Sequence, residues 1–154
     1  MKKLLSYIFI IILTTTISCE IDDICIEDSS TPKLIIKFFD ANDSNIAKEV
    51  ENLYVWAKEK DSLYQETTTD SIAIPLNPST SIVEYCLSTN SIIDTLKIHY
   101  TNQEVFISRS CGYKMNFTIQ DETQLLHHWA SGFETTETPQ IIENEQETHL
   151  KIYH

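Results

Sequence analysis

The chain has 154 residues and a formal net charge of −12, with 42% apolar and 22% charged residues. That length holds one domain once a leader is set aside and leaves no room for two. The apolar fraction is too high for a disordered chain. The 23 acidic residues against 11 basic ones exclude a nucleic-acid binder, which needs clustered Lys and Arg to meet phosphate; the acidity suits a solvated surface.

Lys2 and Lys3 open the chain, and an apolar run from Leu4 to Leu13 follows, broken only by Ser6. A bilayer core requires about 20 apolar residues, so this run is too short to span it and has instead the basic-then-apolar order of a signal peptide. Its end, Thr16-Ile17-Ser18-Cys19, resembles a lipobox, with Thr16 standing where Leu is usual. We therefore expect residues 1–18 to be a lipoprotein leader and Cys19 to be acylated, anchoring the rest to a membrane. Each buried CH₂ is worth about 0.8 kcal/mol, so several acyl chains on one sulfur hold firmly. Loss of the leader would leave nine basic residues against 23 acidic, a net −14. Glu20, Asp22 and Asp23 directly after the cysteine resemble the signal by which Bacteroidota send lipoproteins to the outer face of the outer membrane, although short acidic runs also serve as plain polar spacers.

Residues 19–32 read as the lipidated cysteine and a polar tether, with Cys25 inside it. Cys25, Cys86 and Cys111 would then share an oxidising compartment, which suits one disulfide and one spare thiol. Three pairings are open, of which Cys25–Cys111 is favoured because it pins the tether to a Ser-Cys-Gly-Tyr turn. Closing so long a loop contributes roughly 4 kcal/mol in the chain-entropy view. Cys86 falls in a strand-like run and is expected to fill the core.

From residue 33 onward the pattern alternates with a period of two, the mark of half-buried strands. The runs are Leu34–Phe38, Leu53–Ala57, Ile72–Leu76, Val83–Leu87, Leu96–Tyr100, Val105–Ile107, Met115–Ile119 and His149–Tyr153, with turn residues between them, among them Asn77-Pro78, Thr101-Asn102-Gln103 and Asn144-Glu145. Eight or nine short strands at this spacing predict an all-β domain over 33–154, an antiparallel β-sandwich of immunoglobulin-like or similar type with at most short helical turns. Pro75 cannot donate to a ladder, so its strand belongs at an edge or ends there. Two stretches break the alternation. Asn45–Asn52 reads as a short helical turn, and Gln120–Pro139, with Leu125, Leu126 and Trp129, reads as a helical turn or protruding hairpin and as the natural place for a binding loop.

Candidate chemistry is sparse. His127 and His128 are adjacent and His149 and His154 lie five apart, spacings that favour no shared metal ion in strands, and no cofactor is implied. Ser110-Cys111-Gly112 has no base nearby in sequence to make a nucleophile; Gly112 supplies a tight turn more simply. We expect no catalytic residue. Arg109, the only arginine, suits an ion pair or an interface. Tyr54, Trp56, Phe39 and Tyr64 alternate so as to place rings on the face away from the core, where they would bind a sugar or a partner unless a second sheet covers them. Tyr54, Trp56, Arg109 and Trp129 are accordingly the candidate binding surface. Asp61-Ser62-Leu63, Asp70-Ser71-Ile72 and Asp94-Thr95-Leu96 resemble Bacteroidota O-glycosylation acceptors, and also ordinary turn-to-strand junctions.

Asp22-Asp23-Ile24-Cys25, the strand Thr31–Asp40, Ser71–Leu76, Val105–Lys114 and the tail Ile142–His154 together resemble an uncharacterised family of small Bacteroidota lipoproteins whose domain has no known function. The resemblance implies an extracytoplasmic lipoprotein of the cell envelope, periplasmic or surface-exposed, without a catalytic residue to carry over. The expected role is a non-enzymatic accessory or interaction subunit docking to an outer-membrane β-barrel or another envelope protein. The alternative is a module binding glycans or small ligands.

Overall fold

A computed structural model describes residues 24–26 and 29–154; the leader and Cys19 lie outside the described residues. The described chain is all β, two sheets packed face to face as a sandwich. The strands in chain order are β1 (Leu34–Phe39), β2 (Val50–Ala57), β3 (Ser62–Thr69), β4 (Ser71–Ile74), β5 (Ile82–Thr89), β6 (Ile92–Ser108), β7 (Gly112–Ile119), β8 (Gln124–Leu126), β9 (Gly132–Thr135), β10 (Ile141–Ile142) and β11 (Leu150–Tyr153). The smaller sheet runs β4-β1-β11-β9. The larger runs β10-β7-β6-β5-β2-β3, with β8 beside β6.

Alternation in the sequence becomes the core directly. Leu34, Ile36 and Phe38 of β1, Ile72 and Ile74 of β4, and Leu150 and Ile152 of β11 point from one sheet. They meet Leu53 and Val55 of β2, Tyr85 and Leu87 of β5, Leu96, Ile98 and Tyr100 of β6, and Phe117 and Ile119 of β7 from the other. Burying each large apolar side chain is worth about 1.5–3 kcal/mol, which is what holds two such sheets together. Pro75 follows the last residue of β4, an edge strand, as its missing N–H requires. Its carbonyl accepts from the buried Tyr85 hydroxyl at 2.6 Å.

Four features depart from the sequence reading. The runs at Leu96–Tyr100 and Val105–Ile107 are one strand of 17 residues, because Thr101-Asn102-Gln103 stays extended opposite β7. The polar stretch Ser62–Thr69, without an apolar stripe, is strand β3, paired through bulges to β2 at the edge of the larger sheet. Asn45–Asn52 holds no helix; it turns, with the Ile46 N–H donating to the Asp43 carbonyl, and enters β2 at Val50. And one pair is parallel rather than antiparallel: β1 lies beside β11, Ile36 opposite Leu150 and Phe39 opposite Tyr153.

His149 secures that parallel pair at its start. It is buried; its N–H donates to the Ile35 carbonyl at 3.0 Å, and its Nδ1 accepts the Ile35 N–H at 3.0 Å. An accepting Nδ1 requires the neutral ring. Burial lowers its pKa below the ordinary 6.5, although Glu147, Glu145, Glu137 and the Asn144 backbone pull the other way. His154 is lowered too, again mainly by burial. The unfolded chain therefore takes up these protons more readily, so the stability is full above pH 6.5 and is lost as the pH falls below it toward the folded-state values. We predict a lower urea midpoint at pH 5.5 than at pH 7.5, with a smaller loss in His149→Gln, whose amide oxygen still accepts from Ile35. Equal losses in the two proteins would refute the assignment.

Candidate functional site

The hairpin of β6 and β7 carries the first candidate region. Tyr100 is the last buried residue of β6; Thr101, Asn102, Gln103 and Glu104 are exposed, so the hairpin projects past the end of the sandwich. Its turn is Arg109-Ser110-Cys111, and Gly112 adopts φ +75°, the left-handed conformation for which glycine was expected there. Cys111 is bonded to Cys25, with the Cα atoms 4.8 Å apart and a sequence separation of 86. Thr31 Oγ1 accepts the Met115 N–H at 3.2 Å, so the tether is pinned at Cys25, as expected, and held again to β7 at Thr31. Arg109 is exposed at the turn and makes no ion pair among the described residues.

The second region is the outer face of the larger sheet. Tyr54 and Trp56 alternate with the buried Leu53 and Val55 and are half-exposed, as the pattern predicts. Tyr54 donates to Glu66 Oε1 at 2.7 Å, and this hydrogen bond raises the phenol pKa. Shallow depressions of about 500 and 520 Å³ flank the two rings, one reaching Asn52, Glu66 and Asn90, the other Lys60, Asp61 and Gln65. Cys86 stands opposite Trp56 in β5, so it belongs to this outer face, half-buried, and is not the core filler expected; the inward positions of that strand are Tyr85 and Leu87. Phe39 also faces outward, on the other sheet, beside Tyr153 and with Lys37 and Lys151 over its ring. Tyr64 does not join them. The bulges in β2 and β3 turn it inward onto the core, where its hydroxyl accepts the Ala73 N–H of β4 at 2.9 Å and so ties the edges of the two sheets together.

The third region, Gln120–Pro139, is more ordered by contacts than its weak periodicity suggests. Its first part, β8, resumes the pairing with β6 that β7 leaves off, Leu125 opposite Leu96. The next residues wrap around Asp94, which lies fully buried on the core side of β6. Its carboxylate accepts the N–H groups of His128, Trp129 and Ala130, the last at 2.8 Å, and His128 Nδ1 lies 3.4 Å away. Held this way, Trp129 packs on Phe38 and His154 and its Nε1–H donates to the Leu87 carbonyl at 3.2 Å. Trp129 is therefore half-buried against the core and its indole N–H is already used there, which does not suit the surface anchor expected. A polar cleft of about 630 Å³ remains between Ile119–Thr123 and Phe133–Gln140. Leaving buried donors unpaired costs about 1–3 kcal/mol each. We predict that Asp94→Ala loses about 3 kcal/mol or more and lowers Tm by roughly 10 °C, with Asp94→Asn, which keeps one acceptor, losing less. An Asp94→Ala protein melting within a degree of the parent would show that the carboxylate holds nothing.

Asp94 was missed, although it occupies an apolar position in the stripe Asp94, Leu96, Ile98, Tyr100, and a carboxylate there asks for buried donors. The same burial removes Asp94-Thr95-Leu96 as an open acceptor triplet; Asp61 and Leu63 of the first triplet are exposed. Ser110 Oγ lies 3.3 Å from Ser108 Oγ. Cys111 is committed to its disulfide, so it offers no thiolate. Among the described residues no three His, Cys, Asp or Glu side chains are grouped to hold a metal ion, and His127 and His128 are both exposed. Among the same residues no helix is long and apolar enough to cross a membrane.

No curated protein and no solved structure matches the chain. A family model does match, over residues 52–154, from within β2 to the last residue, and so covers the aromatic face, the hairpin and the Asp94 staple. The chain belongs to that family, a family of unknown function designated DUF6452.

Proposed function

We propose that the protein is a Bacteroidota lipoprotein, acylated at Cys19, that stands on the outer membrane as a non-catalytic interaction subunit and docks to a β-barrel or another envelope protein. The observation that carries the reading is the Cys25–Cys111 disulfide six residues after the lipobox-like cysteine. A structural disulfide belongs to an oxidising compartment, and the basic-then-apolar leader is a route to one. The net charge of −12 suits a surface that meets a basic partner.

Growth of the source bacterium with an alkyne-bearing fatty acid is expected to label the protein at Cys19, and Cys19→Ser is expected to lose both the label and the membrane fraction. Labelled parent protein, pulled down from solubilised outer membranes, should bring a stoichiometric envelope protein with it. An unlabelled, soluble parent overturns the anchor, and a labelled parent that returns alone overturns the accessory role.

The half-exposed Tyr54 and Trp56 between two depressions favour a second reading, a glycan-binding surface, since flat rings stack on sugar faces. A glycan array probed with the folded protein should then give binding that Trp56→Ala weakens at least tenfold. Silence across the array removes this reading.

A further inference from the structure

The disulfide fixes where the tether leaves the domain. Cys25 is bonded at the hairpin turn, six positions after Cys19. At about 3.6 Å per residue, the acyl-bearing sulfur can lie no more than about 22 Å beyond that turn. The turn also lies beyond the core, because Phe106 is six residues past the last buried residue of its strand, about 20 Å at strand rise.

Two aromatic rings stand there in the open. Phe106 and Tyr113 are opposite one another across the hairpin, 55% and 60% exposed, edge to face with centroids 5.1 Å apart. They share the sheet face that carries Tyr100 and Phe117 into the core; exposed Asn102 and Glu104 lie between on β6, and half-buried Met115, which packs on the core, lies between on β7. Neither ring is among the residues packed on the core. Ile24 and Ile26, 73% and 91% exposed, flank the bonded Cys25 at the same end. The stretch from Val105 to Gln120 holds Arg109 and Lys114 and no acidic residue, while the tether bonded to it carries Glu20, Asp22, Asp23, Glu27 and Asp28.

Aromatic rings favour the headgroup level of a bilayer, where the ring is buried and a phenol stays wet, and a guanidinium binds phosphate. We propose that the hairpin turn is the membrane-facing end of the domain: Phe106 and Tyr113, with Ile24 and Ile26, seat in the lipid interface of the leaflet that carries the acyl chains, and Arg109 meets a lipid phosphate. This rests on acylation at Cys19. The sandwich then stands off the membrane on the hairpin, with the Asn90-Ser91 turn and the C-terminus at the far end.

The test is photo-crosslinking in cells with the full chain, placing p-benzoylphenylalanine at position 106 and, as the remote control, at position 92, whose isoleucine is 47% exposed beside the far turn. The fatty-acid label is read on the same protein. Position 106 is expected to give phospholipid adducts, identified by mass, at least tenfold above position 92. Labelled protein whose position 106 yields protein adducts, or no more lipid than position 92, overturns the placement of the hairpin and leaves the anchor standing. Protein without the label overturns the anchor and the placement together.

Discussion

Continuity of β6 is the constraint from which the rest of the molecule follows. From Ile92 to Phe106 its register runs without a shift, so the side of the sheet that delivers Leu96, Ile98 and Tyr100 to the core is the side on which Phe106 emerges beyond it. Along its length the strand changes partners. It pairs with β5 and β8 over its first half and with β7 over its second. A strand that slipped by one residue would turn Asp94 outward and Thr95 inward, and would lose the core stripe and the carboxylate staple at once. Core, staple and projecting hairpin therefore stand or fall in one register.

Sandwich architecture was legible in the sequence because alternation is a local property. Leu34, Ile36 and Phe38 declare their face within six residues, and β1, β5, β7 and β11 lie where their runs fall. What could not be read depends on partners distant in the chain. The polar residues of β3 form a strand because β2 offers an edge, and the turn-like Thr101-Asn102-Gln103 stays extended because β7 lies opposite. The parallel pairing of β1 with β11 joins the two ends of the domain, which no local pattern announces.

The candidate surfaces divide in the same way. Tyr54 and Trp56 face outward as their parity required, and the Cys25–Cys111 bond is the pairing that spacing and turn context favoured. Trp129 and Tyr64 went the other way because polar atoms redirected them. Buried Asp94 draws the Trp129 backbone inward, and the Ala73 backbone offers the Tyr64 hydroxyl a partner. A bulky ring at a loop position says little about exposure until its polar handle is matched to a partner. For Phe106 and Tyr113 the missing information was length, since nothing local says that a hairpin outruns the sheet packed against it.

The parallel closure of β1 on β11 bears on when the domain can form at all. β11 lies between β1 and β9, and at Leu150–Tyr153 it is the last strand of the described residues. Until those last residues are delivered, the smaller sheet is two fragments with no ladder between them, and half of the interior has no wall. A chain emerging from a ribosome or a translocation channel is thus unable to lock before β11 is out, and compaction waits for that one strand rather than proceeding as strands appear.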